Sequence, residues 1–409
     1  MSKRMKVNEN REVCIVGVSR TPIGSLQGSL SSKSAVELGA IAIQSALERS
    51  GIAADLVEEV FMGHVLSGMT GQGPARQAAL KAGLPNTVPC IAVNKVCSSG
   101  MKAVVFASQA IMLGLRDVVI AGGMESMSNT PHMTNAMRGG ARLGSVTFVD
   151  GVQHDGLNDA FDRVPMGNFA EETAERYNIS RADQDNYTAH CYHKAVTATN
   201  DGKFKAEIVP VSVTTKRGQP PALIERDEEA FSRPVTFDSL SKLRPCFNPA
   251  KTVTAGNASP INDGAAALVL VSREKAIELG LEKNILAIVR GFDDAAQDPH
   301  WFTTSPSLAI PKALQRADVS IEQVDFFEIN EAFSAVALAN AQILSLDVNK
   351  VNVYGGAVAL GHPLGCSGAR IIVTLCSVLN QENGRLGVAA VCNGGGGASA
   401  IVLERPINE

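Results

Sequence analysis

The chain has 409 residues, of which 45% are hydrophobic and 19% charged, a composition typical of a folded globular protein and not of a disordered one. This length predicts two or three packed units. The formal net charge of -4 gives no electrostatic basis for binding nucleic acid or anionic membranes, and no apolar run approaches the roughly 20 residues that a membrane span needs.

The cysteines and the two ends of the chain bear on location. The eight cysteines are scattered, without a Cys-x-x-Cys pair or a Cys/His cluster at zinc spacing, which is typical of reduced thiols in a protein without a bound metal. Residues 1–12 lack the apolar core of a signal peptide and contain acidic residues, which argue against a transit peptide. Residues 405–409 do not resemble a peroxisomal signal, so we expect a cytoplasmic protein.

The first part of the chain alternates between strand and helix patterns. Residues 13–18 form a short apolar run that predicts a buried strand, and residues 35–49 have helical spacing that ends at a glycine. Residues 57–65 return to strand character. A glycine-rich turn within residues 71–83 then opens an alanine-rich helix.

The stretch of residues 93–101 carries a pattern typical of a nucleophile. An apolar run ends there, and Cys97 lies among small polar residues before a helical pattern over residues 101–113. A helix N-terminus favours a thiolate over a thiol, so Cys97 is either a nucleophile or an ordinary buried cysteine. A strand at residues 118–121, closed by two glycines, completes an α/β pattern with a mostly parallel sheet.

The middle of the chain departs from this rhythm. Residues 129–251 contain several prolines and a run of charges, and we interpret them as an inserted loop domain. Two helices are predicted within it, at residues 166–177 and 181–199.

From residue 252 the α/β pattern returns and repeats the first half in outline. The helix after Cys97 and its following strand have a counterpart that begins at Cys366. We therefore predict two similar halves, residues 1–128 completed by about 252–275, and residues 276–409. A cleft between duplicated halves is a natural place for a site.

Three segments of the second half each carry one reactive side chain, namely Asn330, His362 and Cys392, beside glycines or at a turn. Because glycine permits unusual backbone angles and close ligand approach, we expect these side chains to face Cys97 across the cleft. Each also has an ordinary explanation, as a helix cap, a buried histidine or a core cysteine. Neither a P-loop nor a dinucleotide fingerprint accompanies the glycines.

Five motifs, in the right order, resemble those of the thiolase family, and the resemblance runs from about residue 13 to residue 404. They are Asn94-Lys95-Val96-Cys97-Ser98-Ser99-Gly100, Gly122-Gly123-Met124-Glu125-Ser126-Met127-Ser128, Asn330-Glu331-Ala332-Phe333, Gly361-His362-Pro363 and Cys392-Asn393-Gly394-Gly395-Gly396-Gly397. The nearest subgroup is the biosynthetic type, acetyl-CoA C-acetyltransferase. The resemblance implies the thiolase fold, with two similar α/β halves, stacked mixed sheets and an inserted loop domain that binds coenzyme A.

The resemblance also implies a role for each reactive residue. Cys97 takes the acetyl group as a thioester in a ping-pong reaction, and His362 draws off its proton. Cys392 is the second acid/base, which removes a proton from the α-carbon of an incoming acetyl-CoA, so that acetoacetyl-CoA and CoA form reversibly. His362 and a water held by Asn330 would stabilise the enolate, and the N–H groups of Cys97 and Gly394 the tetrahedral intermediate.

Coenzyme A contacts are implied in the same way. They are Leu157 and Met166 for the pantetheine tunnel and acyl pocket, Phe247, Ala255 and Ser259 for adenine and pantetheine, Ala332 and Phe333 for the inner wall, and Arg233 for the nucleotide end. The implied partners are acetyl-CoA, acetoacetyl-CoA and CoA, without a further cofactor, and dependence on a monovalent cation is left open. A homodimer or homotetramer, and a role in supplying isoprenoid precursors, are implied by the resemblance alone.

One residue departs from the pattern and keeps an alternative open. Pro165 stands where short-chain thiolases often have a histidine, and Pro-Met also resembles the degradative type. A longer-chain 3-ketoacyl-CoA thiolase of fatty-acid β-oxidation is therefore the first alternative. A decarboxylating condensing enzyme would not need Cys392, and a scaffold protein that has lost activity would not be expected to keep every reactive position.

Overall fold

The computed structural model describes residues 11–214, 220–247 and 251–406. Residues 1–10 and 407–409, on which the prediction about targeting signals largely rests, lie outside the described residues. The strands of the described ranges are β1 (Val13–Arg20), β2 (Gly24–Ser25), β3 (Glu59–Gly63), β4 (Cys90–Val93), β5 (Val118–Ser126), β6 (His132–Met133), β7 (Val149–Asp150), β8 (Val211–Val213), β9 (Ala222–Ile224), β10 (Asn262–Ser272), β11 (Ala287–Ala296), β12 (Phe326–Ile329), β13 (Leu386–Asn393) and β14 (Gly397–Glu404). The α-helices of the same ranges are α1 (Ala35–Ser50), α2 (Pro74–Lys81), α3 (Ser99–Met112), α4 (Ala136–Gly139), α5 (Gly167–Arg176), α6 (Arg181–Asn200), α7 (Glu229–Ser232), α8 (Phe237–Ser241), α9 (Arg273–Glu278), α10 (Pro306–Ala317), α11 (Ser334–Leu344), α12 (Ala357–Leu360) and α13 (Leu364–Gln381).

Ten of these strands form one mixed sheet that spans both halves of the chain. The expectation of a mostly parallel sheet is wrong, because β10 and β14 each run antiparallel to both of their neighbours along the sheet. The first half contributes the order β1-β10-β5-β3-β4, in which β10 runs antiparallel to both of its neighbours and β3 runs parallel to β4 and β5. The second half contributes β12-β13-β14-β11. The two halves meet where residues 13–15 of β1 pair with residues 287–289 of β11. Although β10 belongs to the sheet of the first half, the exact domain boundaries stay a prediction.

Two helices lie at the centre of the molecule, because α3 and α13 pack against each other and against strands of both halves. A Cβ added to Gly100 would lie 2.7 Å from the Ala369 nitrogen, and one added to Gly368 would lie 2.5 Å from the Met101 nitrogen, so only glycine allows this approach. The half-sheets therefore stack on either side of this helix pair. Helices α1 and α2 cover the outer face of the first half, and α10 that of the second.

The glycine pair after the fifth strand has a different role from the one predicted. The expectation that the strand closes at Gly122-Gly123 is wrong, since β5 continues to Ser126. A Cβ on Gly122 would lie 2.1 Å from the Ala266 oxygen, and one on Gly123 would lie 1.9 Å from the Gly365 oxygen. These glycines therefore serve close packing of β5 against β10 and the start of α13, and not a turn.

The insertion places its helices against the second half. The two predicted helices are present as α5 and α6, and α6 begins at a capping box between Ser180 and Asp183. Helix α5 packs against α11 and a short turn at residues 299–304, which brings Met166, just before α5, close to the cleft. No helix within the described ranges is both long and apolar enough to cross a membrane.

Candidate active site

Cys97 lies in the short loop between β4 and α3, with 9% of its surface exposed. The preceding Val96 has a left-handed φ of 48°, which is unfavourable for a β-branched residue. The loop is held by hydrogen bonds from the Lys95 N–H to Ser99 Oγ at 2.8 Å and from the Val96 N–H to Asn94 Oδ1 at 3.0 Å. The backbone around Cys97 is therefore fixed in a conformation that this sequence would not adopt alone.

The electrostatic state of Cys97 differs from the one predicted. Burial raises the pKa of the Cys97 thiol to about 12, while the nearby N–H groups of Gly394 and of Cys97 itself act in the opposite direction. The expectation that the helix N-terminus would favour a thiolate is not met, because Cys97 precedes α3 and loss of hydration outweighs the N–H groups. The thiol therefore needs a base.

His362 is a buried imidazole that can accept a proton. Its Nδ1 lies 2.6 Å from Ser367 Oγ, and the serine donates its own hydrogen to the Pro363 oxygen at 2.9 Å. Ser367 must then accept the Nδ1 proton, which assigns the lone pair to Nε2. Burial, and then the charge of Arg370, lowers the pKa of His362 to about 3, so the ring is neutral. Its backbone N–H donates to Asn262 Oδ1 at 2.9 Å.

Asn330 and Cys392 complete the group of predicted reactive residues. Asn330 follows β12 directly, is fully buried, and has its Nδ2 3.4 Å from His362 Nδ1. Its Oδ1 has no hydrogen-bond partner within the described ranges. Cys392 is fully buried on β13, where burial, and then repulsion from the thiolate form of nearby Cys97, raise the pKa of its thiol. The structure thus links Cys97 with Gly394 and Cys392, and His362 with Asn330.

An apolar cluster adjoins Cys392. Its other members include Met166, Phe169, Phe247, Phe302, Ala332 and Phe333. The Phe247 and Phe333 rings meet edge to face with their centroids 5.9 Å apart, and a Cβ on Gly394 would lie 3.7 Å from Met166 Cε. This cluster brings together four predicted substrate contacts, and Phe302 was not predicted from the sequence.

The remaining predicted coenzyme A contacts fall into two groups. Leu157 accepts the Met166 N–H at 3.0 Å, and Ser259 donates to the Ala332 oxygen from both its N–H, at 3.0 Å, and its hydroxyl, at 2.9 Å. Leu157 and Ser259 are therefore tied to the cluster. Arg233 and Ala255, in contrast, are exposed and lie outside it; the charge of Arg233 acts on Tyr192, which belongs to another part of the core.

Sequence reasoning missed a buried carboxylate beside the site. Glu125 on β5 accepts the N–H groups of Val65, Leu66 and Gly365 at 3.1, 3.2 and 2.9 Å. Burial raises its pKa to about 7, and its charge in turn raises the pKa of Cys97. An acidic residue in an otherwise apolar stretch was the available signal. Within the described parts of the chain, no cluster of His, Cys, Asp or Glu side chains could hold a metal ion.

Comparison with known proteins places the chain in a family. A model of the N-terminal domain of thiolases matches residues 13–274, and a model of their C-terminal domain matches residues 283–405. The chain belongs to the thiolase family. The resemblance and the fold class predicted from the sequence are thereby confirmed.

Similar proteins cover nearly the whole of this thiolase. It is 56% identical over 397 residues to acetyl-CoA acetyltransferase 1 of Arabidopsis thaliana, covering 96% of this chain and 94% of the relative. It is 53% identical to acetyl-CoA acetyltransferase of Saccharomyces cerevisiae, covering 97% and 100%. The solved structure of Acat5 thiolase from Ascaris suum in complex with coenzyme A matches with a TM-score of 0.91 at 43% identity, covering 97% and 100% of the two chains.

Proposed function

We propose that this thiolase is an acetyl-CoA C-acetyltransferase, which condenses two molecules of acetyl-CoA reversibly to acetoacetyl-CoA and CoA. The observation that carries the proposal is a buried thiol, Cys97, which lies close to the Gly394 N–H and to a second buried thiol, Cys392. The names of the relatives from Arabidopsis thaliana and Saccharomyces cerevisiae support this function over the longer-chain alternative.

In the first half-reaction Cys97 attacks the carbonyl carbon of acetyl-CoA. Because both Cys97 and His362 are neutral at rest, the proton passes from the sulfur to His362 Nε2 as the new carbon–sulfur bond forms. The N–H groups of Cys97 and Gly394 stabilise the negative charge on the carbonyl oxygen. CoA then leaves as the thiol with the proton that His362 passes to its sulfur, and the acetyl group remains on Cys97.

In the second half-reaction Cys392 passes its own proton to His362, and the thiolate so formed removes a proton from the methyl group of another acetyl-CoA. The resulting enolate oxygen is stabilised by His362 and by a water on Asn330, whose unpartnered Oδ1 and nearby amide group are suited to holding one. The enolate carbon attacks the acetyl group on Cys97, which yields acetoacetyl-CoA, and the departing Cys97 sulfur takes a proton from His362 to become the thiol again. Because burial raises the pKa of the Cys392 thiol, its thiolate is a strong base in this step, and the thiol donates the proton in the reverse direction.

The apolar cluster supports a short acyl chain. Met166, Phe302 and Phe333 are among the bulky side chains that occupy the space around Cys392, and Phe302 and Phe333 are almost fully buried. Coenzyme A would enter past Leu157 and Ser259, with Arg233, Phe247 and Ala255 toward its nucleotide end. The coenzyme A complex of the Ascaris suum thiolase supports coenzyme A as a ligand.

Substrate preference tests the proposed function. We expect kcat/KM for CoA-dependent cleavage of acetoacetyl-CoA to exceed that for a long-chain 3-ketoacyl-CoA by about 100-fold or more, because bulky side chains close the acyl pocket. The measurement is the loss of thioester enolate absorbance with each substrate. Comparable or faster cleavage of the long substrate would support the degradative alternative instead.

A homodimer is supported by the edge of the sheet. Within the described ranges β4 pairs only with β3, and its Ile91 is 45% exposed. An exposed apolar edge strand invites pairing with a second copy. Light scattering should give the mass of two or four chains, and Ile91→Lys should lower it; a wild-type mass of one chain would contradict the proposal.

The cellular location of this thiolase is supported by the name of one relative. The relative from Gibberella zeae, 54% identical over 392 residues, is named cytosolic, which supports a cytosolic location for this thiolase. A role in supplying isoprenoid precursors, and the question of a monovalent cation, stay as they were predicted from the sequence.

A further inference from the structure

A polar network outside the reacting groups joins the loop that carries the nucleophile to the strands that carry the second cysteine. Lys95, two residues before Cys97, extends its ammonium group to the other half of the molecule. Its Nζ donates to Asp294 Oδ1 at 2.6 Å, to Ser399 Oγ at 2.8 Å and to the Ala398 oxygen at 3.2 Å. All three donor positions of the ammonium are therefore used across the interface between the halves.

The partners of Lys95 are placed directly beside the catalytic hairpin. Ala398 on β14 is the residue paired with Cys392 on β13, and Ser399 is paired with Asp294 on β11. Ser399 in turn donates its hydroxyl hydrogen to Asp294 Oδ1 at 2.6 Å. Lys95 thus bonds the strand immediately across from the second catalytic thiol.

A second tether lies on the other side of the nucleophile. Ser98 Oγ is 2.8 Å from Asn393 Oδ1 and 3.1 Å from the Val391 oxygen, the residues that flank Cys392. Cys97 therefore lies between two points of attachment, at residues 95 and 98, to the hairpin that supplies the Gly394 N–H.

The loop between these two attachments has a strained backbone. The left-handed φ of Val96 lies between the two tethers, and such a backbone conformation persists only where the surroundings over-determine it. The network is also fixed in its charges. Although burial acts to raise it, the hydrogen bonds from Lys102 and Lys95 keep the pKa of Asp294 low, at about 2.

We infer that Lys95, through Asp294 and Ser399, is a positioning residue that holds the Cys97 sulfur against the Gly394 N–H and within reach of Cys392. This inference rests on the proposed function and names a further residue on which that function depends. Lys95 touches no reacting atom itself. Loss of the tether lets the loop relax, which displaces the thioester carbonyl from its two N–H donors, a change of about 1 Å that is enough to slow catalysis about 100-fold.

The chain offers a matched control for this inference. Lys102 on α3 also donates to Asp294, at 2.5 Å to Oδ2, but makes no bond to the hairpin. Lys102→Met therefore removes one positive charge and one ion pair from the same carboxylate while leaving the tether intact. Lys95→Arg keeps a donor with several N–H groups at the site, and Ser399→Ala removes one link with little change in volume.

The experiment compares kcat and KM for acetoacetyl-CoA cleavage in the wild type, in Lys95→Met and in these three variants. We expect kcat of Lys95→Met to fall roughly 100-fold with KM nearly unchanged, Ser399→Ala to fall less, Lys95→Arg to recover at least part of the loss, and Lys102→Met to match the wild type. The rate of Cys97 alkylation by iodoacetamide should differ from that of the wild type in Lys95→Met. In Lys102→Met it should equal that of the wild type.

Several outcomes would overturn the inference. If Lys95→Met keeps wild-type kcat, or if Lys102→Met loses as much as Lys95→Met, the tether does not position the nucleophile. If Lys95→Met fails to fold, Ser399→Ala with a wild-type kcat would reject the inference by itself. A wild-type protein that does not cleave acetoacetyl-CoA would instead count against the proposed function, which keeps the two failures distinct.

Discussion

Cys97→Ser is expected to lower kcat for both cleavage and formation of acetoacetyl-CoA by a factor of roughly 10³ or more. A serine hydroxyl is far less acidic than a thiol, and the buried His362, whose pKa is lowered to about 3, is too weak a base to remove its proton. The variant would also carry its acetyl group as an ester in place of a thioester. Because an ester is a poorer acyl donor, transfer of the acetyl group from the serine to the second substrate would also be slow. Steady-state rates in both directions measure the effect.

Cys90→Ser is the control for this substitution. Cys90 lies on β4, the strand that leads to Cys97, and its sulfur donates to the Val88 oxygen at 3.3 Å, a bond that serine can keep. Its activity should equal that of the wild type. Retention of more than a small fraction of the wild-type kcat by Cys97→Ser, at a substrate-saturating concentration, would mean that another residue is the nucleophile.

Cys392→Ala is expected to separate the two half-reactions. Transfer of the acetyl group from acetyl-CoA to Cys97 breaks no carbon–hydrogen bond, so it should continue with His362 as the base. Condensation requires removal of a proton from a methyl group, and should fall roughly 10²- to 10⁴-fold. The two steps are measured as acetylation of the enzyme by mass spectrometry and as formation of acetoacetyl-CoA.

A second substitution at the same position distinguishes chemistry from packing. Cys392 is fully buried in an apolar cluster, and alanine leaves a small cavity there. Cys392→Ser restores most of the volume but not the acidity, so it should condense nearly as slowly as Cys392→Ala. Recovery of condensation in the serine variant, or loss of Cys97 acetylation in the alanine variant, would show that Cys392 is not the second acid/base.

Much of the fold could be predicted because the periodicity of hydrophobic residues and the positions of capping and turn residues match the observed elements. The helix predicted at residues 35–49 begins after a capping box at Ser34 and ends at Gly51, which has a left-handed φ. Both boundaries are therefore determined by residues at the ends of the helix itself. The extent of β5 could not be predicted in this way. Gly122 and Gly123 are typical turn residues, and only their contacts with Ala266 and Gly365 reveal that they serve packing.

The repeat in the sequence was informative in outline and misleading in detail. Helix α13 begins at Leu364, so Cys366 lies within its first turn and is buried in the core, whereas Cys97 precedes α3. The two cysteines match in sequence position relative to the following strand, yet one is available for chemistry and the other is not. A sequence repeat gives the order of elements, but where a helix begins depends on local contacts.

For the candidate site, sequence motifs predicted which side chains react. They did not predict the environment of those side chains. The predicted thiolate at Cys97 fails because burial, a property of the whole fold, outweighs the nearby N–H groups. The partners of Lys95 lie about 200 and 300 residues away along the chain, at Asp294 and Ser399, and no local spacing points to them. Arg233 and Ala255 are exposed, unlike the other predicted coenzyme A contacts. This difference becomes visible only in the folded structure.

The central claim is that an acetyl group passes through Cys97, and it can be tested directly. The wild-type protein is incubated with acetyl-CoA, quenched in acid, digested and mapped by mass spectrometry. One acetyl group on the peptide that contains Cys97, removed on addition of CoA, is the predicted result. Acetylation at Cys392 or elsewhere with Cys97 unmodified, or turnover without any acetylated Cys97 in a rapid-quench time course, would contradict the account.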